Sequence, residues 1–378
     1  MKRGILLKTL AVVAGCGGGG GGNGGAEPPG SVTVSGCTIA GNAMTCPAAV
    51  AWSTTKAGQP RLTANGAVIS TAPSGNQAVP VGHGDTVFRL EDGGVVIASA
   101  TARAGCESAS AWDAQRCLPF AIRHTERAAT PFVENGQPVT LEVVFFTPLA
   151  GTPPWPAVIF NHGSTGNGSD PSLFRQTFTS EPIAKFFADR GWMVAFPQRR
   201  GRGQSDGLYD EGFLPDRSAY SCVAAQSLPG FDRALADLDA ATDHLRARPD
   251  VDTARFVEAG TSRGGILSIA HVAGRPADFR GAINFVGGWL GEGCGEYLVV
   301  NRNSFVRGAG FPRPTLWLYA ENDTFYTVAH SRANFDAFIA AGGQGSFQVY
   351  TRAPGFNGHF LINDPVLWAA DVESYIAN

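Results

Sequence analysis

The chain from about residue 119 onward alternates short apolar segments with longer amphipathic ones, and this alternation restricts the folds open to it. Short apolar runs bounded by turn residues are typical of buried strands. Strands that alternate with helices predict a parallel sheet covered on both faces. The predicted strands are Leu141–Thr147, Ala157–Asn161, Trp192–Pro197, Arg255–Ala259, Ala282–Val286, Thr315–Tyr319 and Phe347–Tyr350.

The segments between these strands have the apolar period of helices. The clearest is Phe231–Arg248, in which apolar residues recur on one side, acidic and basic residues lie opposite, and Pro249 ends the pattern. The other predicted helices are Ile183–Arg190, Gly265–Ala273, His330–Ala341 and Pro365–Ile376.

A serine lies in a glycine-flanked turn between one predicted strand and the next helix, in the sequence Gly260-Thr261-Ser262-Arg263-Gly264. A serine hydroxyl is a weak nucleophile and needs an exposed, strained position beside a base. The same short pattern recurs around Ser205, and the 49 glycines of the chain make chance matches easy. A polar loop follows Ser205, whereas a helix follows Ser262, so Ser262 is the predicted nucleophile.

Four motifs in order make the region 119–378 resemble an α/β-hydrolase, nearest to the dienelactone-hydrolase-like and acetyl-xylan-esterase-like serine esterases. They are Asn161-His162-Gly163-Ser164, Arg200-Gly201-Arg202-Gly203-Gln204-Ser205, the turn around Ser262, and the pair Asp323 and His359. The resemblance implies the order nucleophile, acid, histidine, which this chain follows. It also implies a carboxylic ester hydrolase that uses no metal and no organic cofactor.

The predicted acid is Asp323, which follows the strand Thr315–Tyr319 at the carboxyl edge of the sheet. Glu321 is the competing acid, and Asp364 is assigned instead to the start of the last helix. The predicted base is His359, in a glycine-flanked loop between the last strand and the last helix. His330 also lies downstream of the acid, but it starts a helix.

The resemblance places the oxyanion hole at two backbone N–H groups, that of Arg263 and that of Ser164. His162 is expected to hold the loop through hydrogen bonds and to take no part in the chemistry. The arginines at 199, 200, 202 and 263 could contact an anionic substrate, but related hydrolases carry a similar segment as loop scaffold, and that interpretation is favoured.

Residues 31–105 contain short strand-like segments separated by turns such as Pro73-Ser74-Gly75-Asn76, and no helical period appears. This pattern predicts a small β-sandwich, weakly similar to immunoglobulin and fibronectin type III modules. Residues 106–118 are expected to connect it to the catalytic domain. The favoured role of the module is to space that domain from the membrane, and ligand or glycan binding is the alternative.

The first residues combine a basic start, Met1-Lys2-Arg3, with a short apolar stretch, as in a signal peptide over residues 1–15. Val13-Ala14-Gly15-Cys16 resembles a bacterial lipobox, which implies a lipid on Cys16 followed by a glycine-rich tether over residues 16–30. The lack of Asp at position 17 implies an outer-membrane location. The alternative is an ordinary secretory signal with an incidental cysteine.

Six cysteines remain after Cys16, and an even number in an exported protein favours disulfides. A two-residue turn at Gly41-Asn42 would bring Cys37 opposite Cys46. The other predicted pairs are Cys106–Cys117, which are close in the sequence, and Cys222–Cys294. Alternatively, one or more pairs stay reduced and buried.

The net charge of the chain limits the partners that it can bind. The chain has 29 basic and 32 acidic residues, and removal of Lys2, Arg3 and Lys8 with the signal leaves 26 against 32, a net charge of −6, which makes nucleic acid an unsuitable partner. The expected partner is a small-molecule ester. The alternatives are a prolyl-oligopeptidase-like peptidase, whose large propeller this chain lacks, and a catalytically silent binding lipoprotein.

Overall fold

The computed structural model describes residues 29–56 and 58–377. The predicted signal peptide, Cys16 and the glycine tract after it lie outside the described residues. The chain divides into two compact units, Met1–Pro119 and Phe120–Asn378. Across the described part, no helix combines the length and the apolar character needed to cross a membrane.

The first unit is built from strands that form a three-stranded sheet, β1-β3-β6, and a five-stranded sheet, β2-β8-β7-β4-β5. Their bounds are β1 Gly30–Val34, β2 Cys37–Ile39, β3 Thr45–Thr54, β4 Pro60–Ala64, β5 Ala67–Ser70, β6 Ser74–Gly82, β7 Gly84–Asp92 and β8 Val95–Cys106. A short hairpin of β9 (Ser110–Trp112) and β10 (Cys117–Pro119) follows.

The two sheets share one apolar core. Side chains alternate between buried and exposed along β3, as expected for a strand with one solvated face. Val50 and Trp52 of β3 belong to the same buried cluster as Phe88 and Leu90 of β7. The first unit is therefore the small all-β sandwich that the sequence predicted.

Two details of this sandwich differ from the prediction. The segment Pro73-Ser74-Gly75-Asn76, expected to be a turn, leads into β6, whose first half is polar because it is exposed. Gly75 is needed for space, since a Cβ there would lie 2.6 Å from the indole of Trp52. The segment 106–118 is not a connector, because it carries the hairpin β9–β10 and places Cys117 in the core.

The structure joins the same three pairs of cysteines as the sequence analysis, Cys37–Cys46, Cys106–Cys117 and Cys222–Cys294. The Ala43 N–H donates to the Ala40 carbonyl and closes the expected turn. However, β2 pairs in parallel with β8, whereas the sequence predicted a hairpin with the start of β3.

The second unit contains one eight-stranded sheet in the order β11-β12-β14-β13-β15-β16-β17-β18. The strands β11 and β12 are antiparallel, β12 is antiparallel to β14, and the remaining pairs are parallel. The bounds are β11 Ala121–Glu134, β12 Gln137–Pro148, β13 Trp155–Asn161, β14 Met193–Pro197, β15 Val251–Thr261, β16 Gly281–Phe285, β17 Thr315–Ala320 and β18 Gly345–Tyr350.

Six α-helices accompany this sheet within the described residues: α1 Glu181–Ala188, α2 Ala224–Arg246, α3 Arg263–Gly274, α4 Tyr297–Val306, α5 Val328–Ala340 and α6 Pro365–Ala377. The mostly parallel sheet with its helices confirms the predicted α/β-hydrolase fold. The sequence missed β11, whose pattern is largely polar, and α4, whose buried side chains include Asn301 and Ser304 beside Val300 and Phe305.

Helix α2 begins at Ala224, well before the predicted start at Phe231, and contains Pro229. Proline and glycine in succession normally end a helix. Here Gly230 has a packing role, because a Cβ at this position would lie 2.1 Å from the Gly212 nitrogen. The loop that contains Glu211 and Gly212 therefore rests directly on the backbone of α2.

Candidate active site

Ser262 occupies the turn between β15 and α3, as the sequence predicted. Its φ of +56° is costly for a residue with a side chain, and such strain is typical of functional positions. The turn is possible because the residues two positions before and after Ser262 are glycines. A Cβ on Gly264 would lie 2.0 Å from the Asn161 carbonyl oxygen, and one on Gly260 would lie 2.3 Å from the Gly264 carbonyl oxygen.

Asp323 and His359 come together in a hydrogen bond. The His359 Nδ1–H donates to Asp323 Oδ2 at 2.9 Å. Asp323 Oδ1 accepts the backbone N–H groups of Phe325 (2.7 Å) and Tyr326 (3.1 Å), so both carboxylate oxygens are held in place. Because the proton of the neutral imidazole is on Nδ1, the lone pair on Nε2 is free to accept a proton.

The competing acids contact other groups. Glu321 accepts a hydrogen bond from the Thr351 hydroxyl at 3.1 Å, and Asp364 pairs with Arg352 at 2.5 Å. Asp364 also lies just before α6, as expected. His330, the other histidine downstream of the predicted acid, is buried in α5 against the side chains of Asn301 and Asn334.

Ser205, the second serine in a glycine pattern, has a structural position. Only 2% of it is exposed. Its hydroxyl donates to the Gln198 carbonyl at 2.6 Å and accepts the Glu142 N–H at 2.8 Å. The hydroxyl therefore connects the loop to β12, and both of these hydrogen bonds are structural.

The loop after β13 runs beside Ser262. A Cβ added to Gly163 would lie 3.1 Å from Ser262 Cβ and 3.6 Å from its Oγ. Among the described residues, neither the N–H of Ser164 nor that of Arg263 donates to a backbone or side-chain acceptor. Arg263 is the first residue of α3, and the first N–H groups of a helix have no partner within the helix. Both N–H groups thus lack an acceptor in the described part of the chain, which the role predicted for them as oxyanion donors requires.

His162 fixes the shape of this loop. Its Nδ1 donates to the Gly163 carbonyl at 2.8 Å, and its Nε2 accepts the Arg199 N–H at 3.2 Å. Burial and the nearby charges of Arg199 and Arg202 hold the pKa of His162 well below its ordinary value. The ring is therefore neutral and acts as a loop support, in agreement with its expected role.

Tyr326 is a site residue that the sequence analysis missed. It is buried, and its ring centroid lies 5.6 Å from that of His359. Burial raises the pKa of its phenol, and the nearby Ser262 side chain opposes this rise, so the group is neutral and lies beside Ser262. It follows Asp323 by three positions in an ordinary turn, and no local pattern distinguishes it.

The arginine segment is engaged within the protein. Arg200 pairs with Asp237 at 2.5 Å, and Arg202 Nη1 donates to the Leu173 carbonyl at 2.6 Å. Arg199 pairs with Glu211 at 2.5 Å, and Arg263 pairs with the same carboxylate at 3.3 Å. These contacts support the scaffold interpretation over contact with an anionic substrate.

Two phenylalanines flank the imidazole of His359. Its ring centroid lies 4.4 Å from that of Phe325 and 6.0 Å from that of Phe360. Phe325 is 42% exposed and Phe360 50% exposed, so apolar surface remains open on either side of the histidine.

Elsewhere in this unit, the disulfide Cys222–Cys294 links the segments that precede α2 and α4.

A known family model covers most of the second unit. The model of the Dienelactone hydrolase family matches residues 141–359, a range that contains Ser262, Asp323 and His359. No curated protein matches the sequence significantly.

Several solved structures are similar to the chain. The acetyl xylan esterase from Paenibacillus sp. R4 is 15% identical, with a TM-score of 0.45, and the match covers 68% of this chain and 88% of that one. Est1E from Butyrivibrio proteoclasticus, with ferulic acid bound, is 14% identical (TM-score 0.46; 67% and 100%). The esterase Pf2001 from Pyrococcus furiosus is 16% identical (TM-score 0.44; 68% and 90%). Because the family model spans more than half of the chain, the protein belongs to the dienelactone hydrolase family of ester-cleaving hydrolases.

Proposed function

We propose that the protein is a serine esterase in which Ser262 is the nucleophile, His359 the general base and Asp323 the group that orients the base. The observation that carries this proposal is the 2.9 Å hydrogen bond between His359 and Asp323, in the same unit as a serine held in a strained strand-to-helix turn. That combination matches the roles of a nucleophile, a base and an orienting acid.

In the proposed reaction, His359 Nε2 takes the proton of the Ser262 hydroxyl as Oγ attacks the ester carbonyl carbon. The resulting oxyanion accepts hydrogen bonds from the N–H groups of Arg263 and Ser164. The bond to the alcohol oxygen then breaks, and the imidazolium protonates that oxygen. Water attacks the acyl-enzyme by the same route, which releases the carboxylic acid and restores Ser262.

The surroundings of His359 indicate which esters fit. Because the imidazolium protonates the leaving alcohol, the alcohol part of the substrate must lie against this ring during the reaction. The exposed faces of Phe325 and Phe360 are the neighbouring surface. We infer that apolar or aromatic alcohol groups are preferred over small polar ones.

A fluorophosphonate probe tests the nucleophile, with Ser205→Ala as the matched control for Ser262→Ala. The expected result is labelling of the wild type and of Ser205→Ala, and none of Ser262→Ala. Equal labelling of the wild type and Ser262→Ala would refute the assignment, and an unlabelled wild type would favour the silent binding lipoprotein. Faster cleavage of aminoacyl-proline nitroanilides than of nitrophenyl esters would favour a peptidase.

We also propose that the mature protein is attached to the bacterial outer membrane by a lipid on Cys16. The three disulfides support the exported location that this proposal requires. Metabolic labelling with a palmitate analogue tests this proposal in the producing bacterium. The wild type should incorporate the label and Cys16→Ser should not. Equal incorporation, or recovery of unlabelled wild type in the soluble fraction, would refute the anchor.

A further inference from the structure

A buried ion network connects the two sides of the proposed oxyanion hole. Glu211 Oε1 accepts from Arg199 Nε at 2.5 Å, and Glu211 Oε2 accepts from Arg263 Nη1 at 3.3 Å. The side chains of all three residues are at most 4% exposed. Although burial alone raises the pKa of Glu211, the two arginine charges outweigh it and hold that pKa below its ordinary value, so the carboxylate stays charged.

Each arginine holds one side of the hole. The Arg199 guanidinium donates to the carbonyls of His162 (2.9 Å) and Gly163 (3.4 Å), the two residues that precede the Ser164 N–H. Arg263 supplies the other N–H from its own backbone. Its guanidinium carbon lies 3.8 Å from the ring centroid of Tyr220 and 4.2 Å from that of Trp289. Its Nε donates to the Trp289 carbonyl at 3.2 Å.

Glu211 is itself fixed by its backbone. Its carbonyl accepts a second hydrogen bond from Arg263 Nη1, at 2.9 Å. Helix α2 packs so closely beneath that a Cβ on Gly230 would lie 2.2 Å from the Glu211 carbonyl carbon. A buried carboxylate in this position has little freedom to move, so the two guanidinium groups that it binds are held at a defined separation.

We propose that Glu211 is a positioning residue of the oxyanion hole: through Arg199 and Arg263 it sets the distance between the Ser164 and Arg263 N–H groups. This inference rests on the proposed esterase function. Oxyanion stabilisation depends on donors placed in advance, and displacement of a donor by about 1 Å can cost on the order of 100-fold in rate. These donors bind the oxyanion more strongly than the ester carbonyl of the bound substrate, so their displacement should lower kcat more than it raises KM.

The neighbouring pair Arg200–Asp237 provides a matched control. It has the same Nε-to-carboxylate distance of 2.5 Å and is also buried, with Arg200 next to Arg199 in the loop and Asp237 on α2. Asp237 also accepts the Arg200 backbone N–H at 3.0 Å. Among the described residues, this pair forms no hydrogen bond with His162, Gly163 or Arg263, so its loss should destabilise the unit without moving either proposed oxyanion donor.

The test compares Glu211→Gln with Asp237→Asn in the full-length protein, using a nitrophenyl ester. The expected result is a 10- to 100-fold lower kcat for Glu211→Gln, on the order given for a misplaced donor, with KM within about twofold. Asp237→Asn should keep kcat within about threefold at a similar loss of unfolding midpoint. Equal kcat losses in the two variants, or an unchanged kcat in Glu211→Gln, would overturn the proposal.

Two further measurements cover the ways in which this comparison could fail. If Glu211→Gln does not fold, Glu211→Asp keeps the charge but shortens the reach, and it should lower kcat with the same constant KM. Hydrogen exchange needs no substrate: the peptide that contains Ser164 should exchange faster in the Glu211 variant and not in Asp237→Asn. Unchanged exchange there would refute the positioning role, whereas an unreactive wild type would refute only the esterase function.

Discussion

Because the buried histidine His271 holds a proton in the folded state, the protein should become less stable as pH rises and that proton is lost. His271 of α3 donates from Nδ1 to Glu258 at 2.6 Å and from Nε2 to Asp239 at 3.2 Å. Glu258 is fully buried on β15 and also accepts from Asn161 at 2.8 Å. Burial alone lowers the pKa of His271, but the Glu258 charge and these hydrogen bonds outweigh it and raise the pKa to about 9.

The size and sign of the effect follow from this pKa. An unfolded histidine titrates near 6.5, so the folded state holds one more proton than the unfolded state between pH 6.5 and 9. Each pH unit in this interval lowers the free energy of unfolding by about 1.4 kcal/mol, which gives about 3 kcal/mol in total. The contribution is complete below pH 6.5 and is lost as pH rises through 9.

Urea unfolding of the wild type and His271→Gln at pH 6, 7.5 and 9 measures this contribution. The variant cannot carry the extra proton, so the wild type should lose about 3 kcal/mol relative to it across the series. The difference between the two proteins removes the titration of groups that do not interact with His271, and the hydrogen-bond partner Asp239, whose pKa that bond lowers, titrates below this series in the wild type. Parallel pH profiles, or a wild type that gains on the variant as pH rises, would show that His271 is not charged in the folded state.

Three further outcomes are expected from ester kinetics. Asp323→Asn should lower kcat by about 10⁴-fold with normal folding, because the imidazole loses its orienting charge and takes the wrong tautomer; a loss below tenfold would contradict the role. Phe325→Ala should raise KM for esters of aromatic alcohols and leave KM for ethyl esters nearly unchanged. Phe356, which is also exposed but contacts Arg352, is the control, and Phe356→Ala should change neither KM. Equal effects of Phe325→Ala on both kinds of ester would contradict the alcohol site. Gly163→Ala should slow acylation without unfolding, because its Cβ would press on Ser262 at 3.1 Å; wild-type kcat would contradict this.

The sequence predicted those parts of the site that depend on local patterns. Ser262 and Asp323 each follow an apolar strand, His359 lies in the loop after the last strand, and the carboxyl ends of parallel strands meet at one edge of the sheet. Context also separated Ser262 from Ser205. The same rule could not predict β11 or α4, whose buried faces carry too many polar residues for their apolar period to stand out.

The buried carboxylates Glu211 and Glu258 were missed for a different reason. Glu211 lies in a polar loop and meets Arg263 across 52 positions of the chain, and no spacing rule connects them. Glu258 lies inside an apolar strand, where a carboxylate reads as a solvent-facing residue until its partner His271 is known. Long-range ion pairs of this kind depend on how loops and helices pack, which one sequence does not specify.

The contact between helix α2 and the loop at Glu211 has a consequence for protein engineering. Gly230 is an interior helical glycine, and its replacement by alanine is a routine way to gain up to about 1 kcal/mol of stability. In this chain, the added methyl group would meet the backbone of Glu211 and Gly212 at 2.1 to 2.2 Å. A thermostabilisation programme that ranks helix positions by propensity alone would therefore select a substitution that pushes this loop away from the arginines and weakens the enzyme.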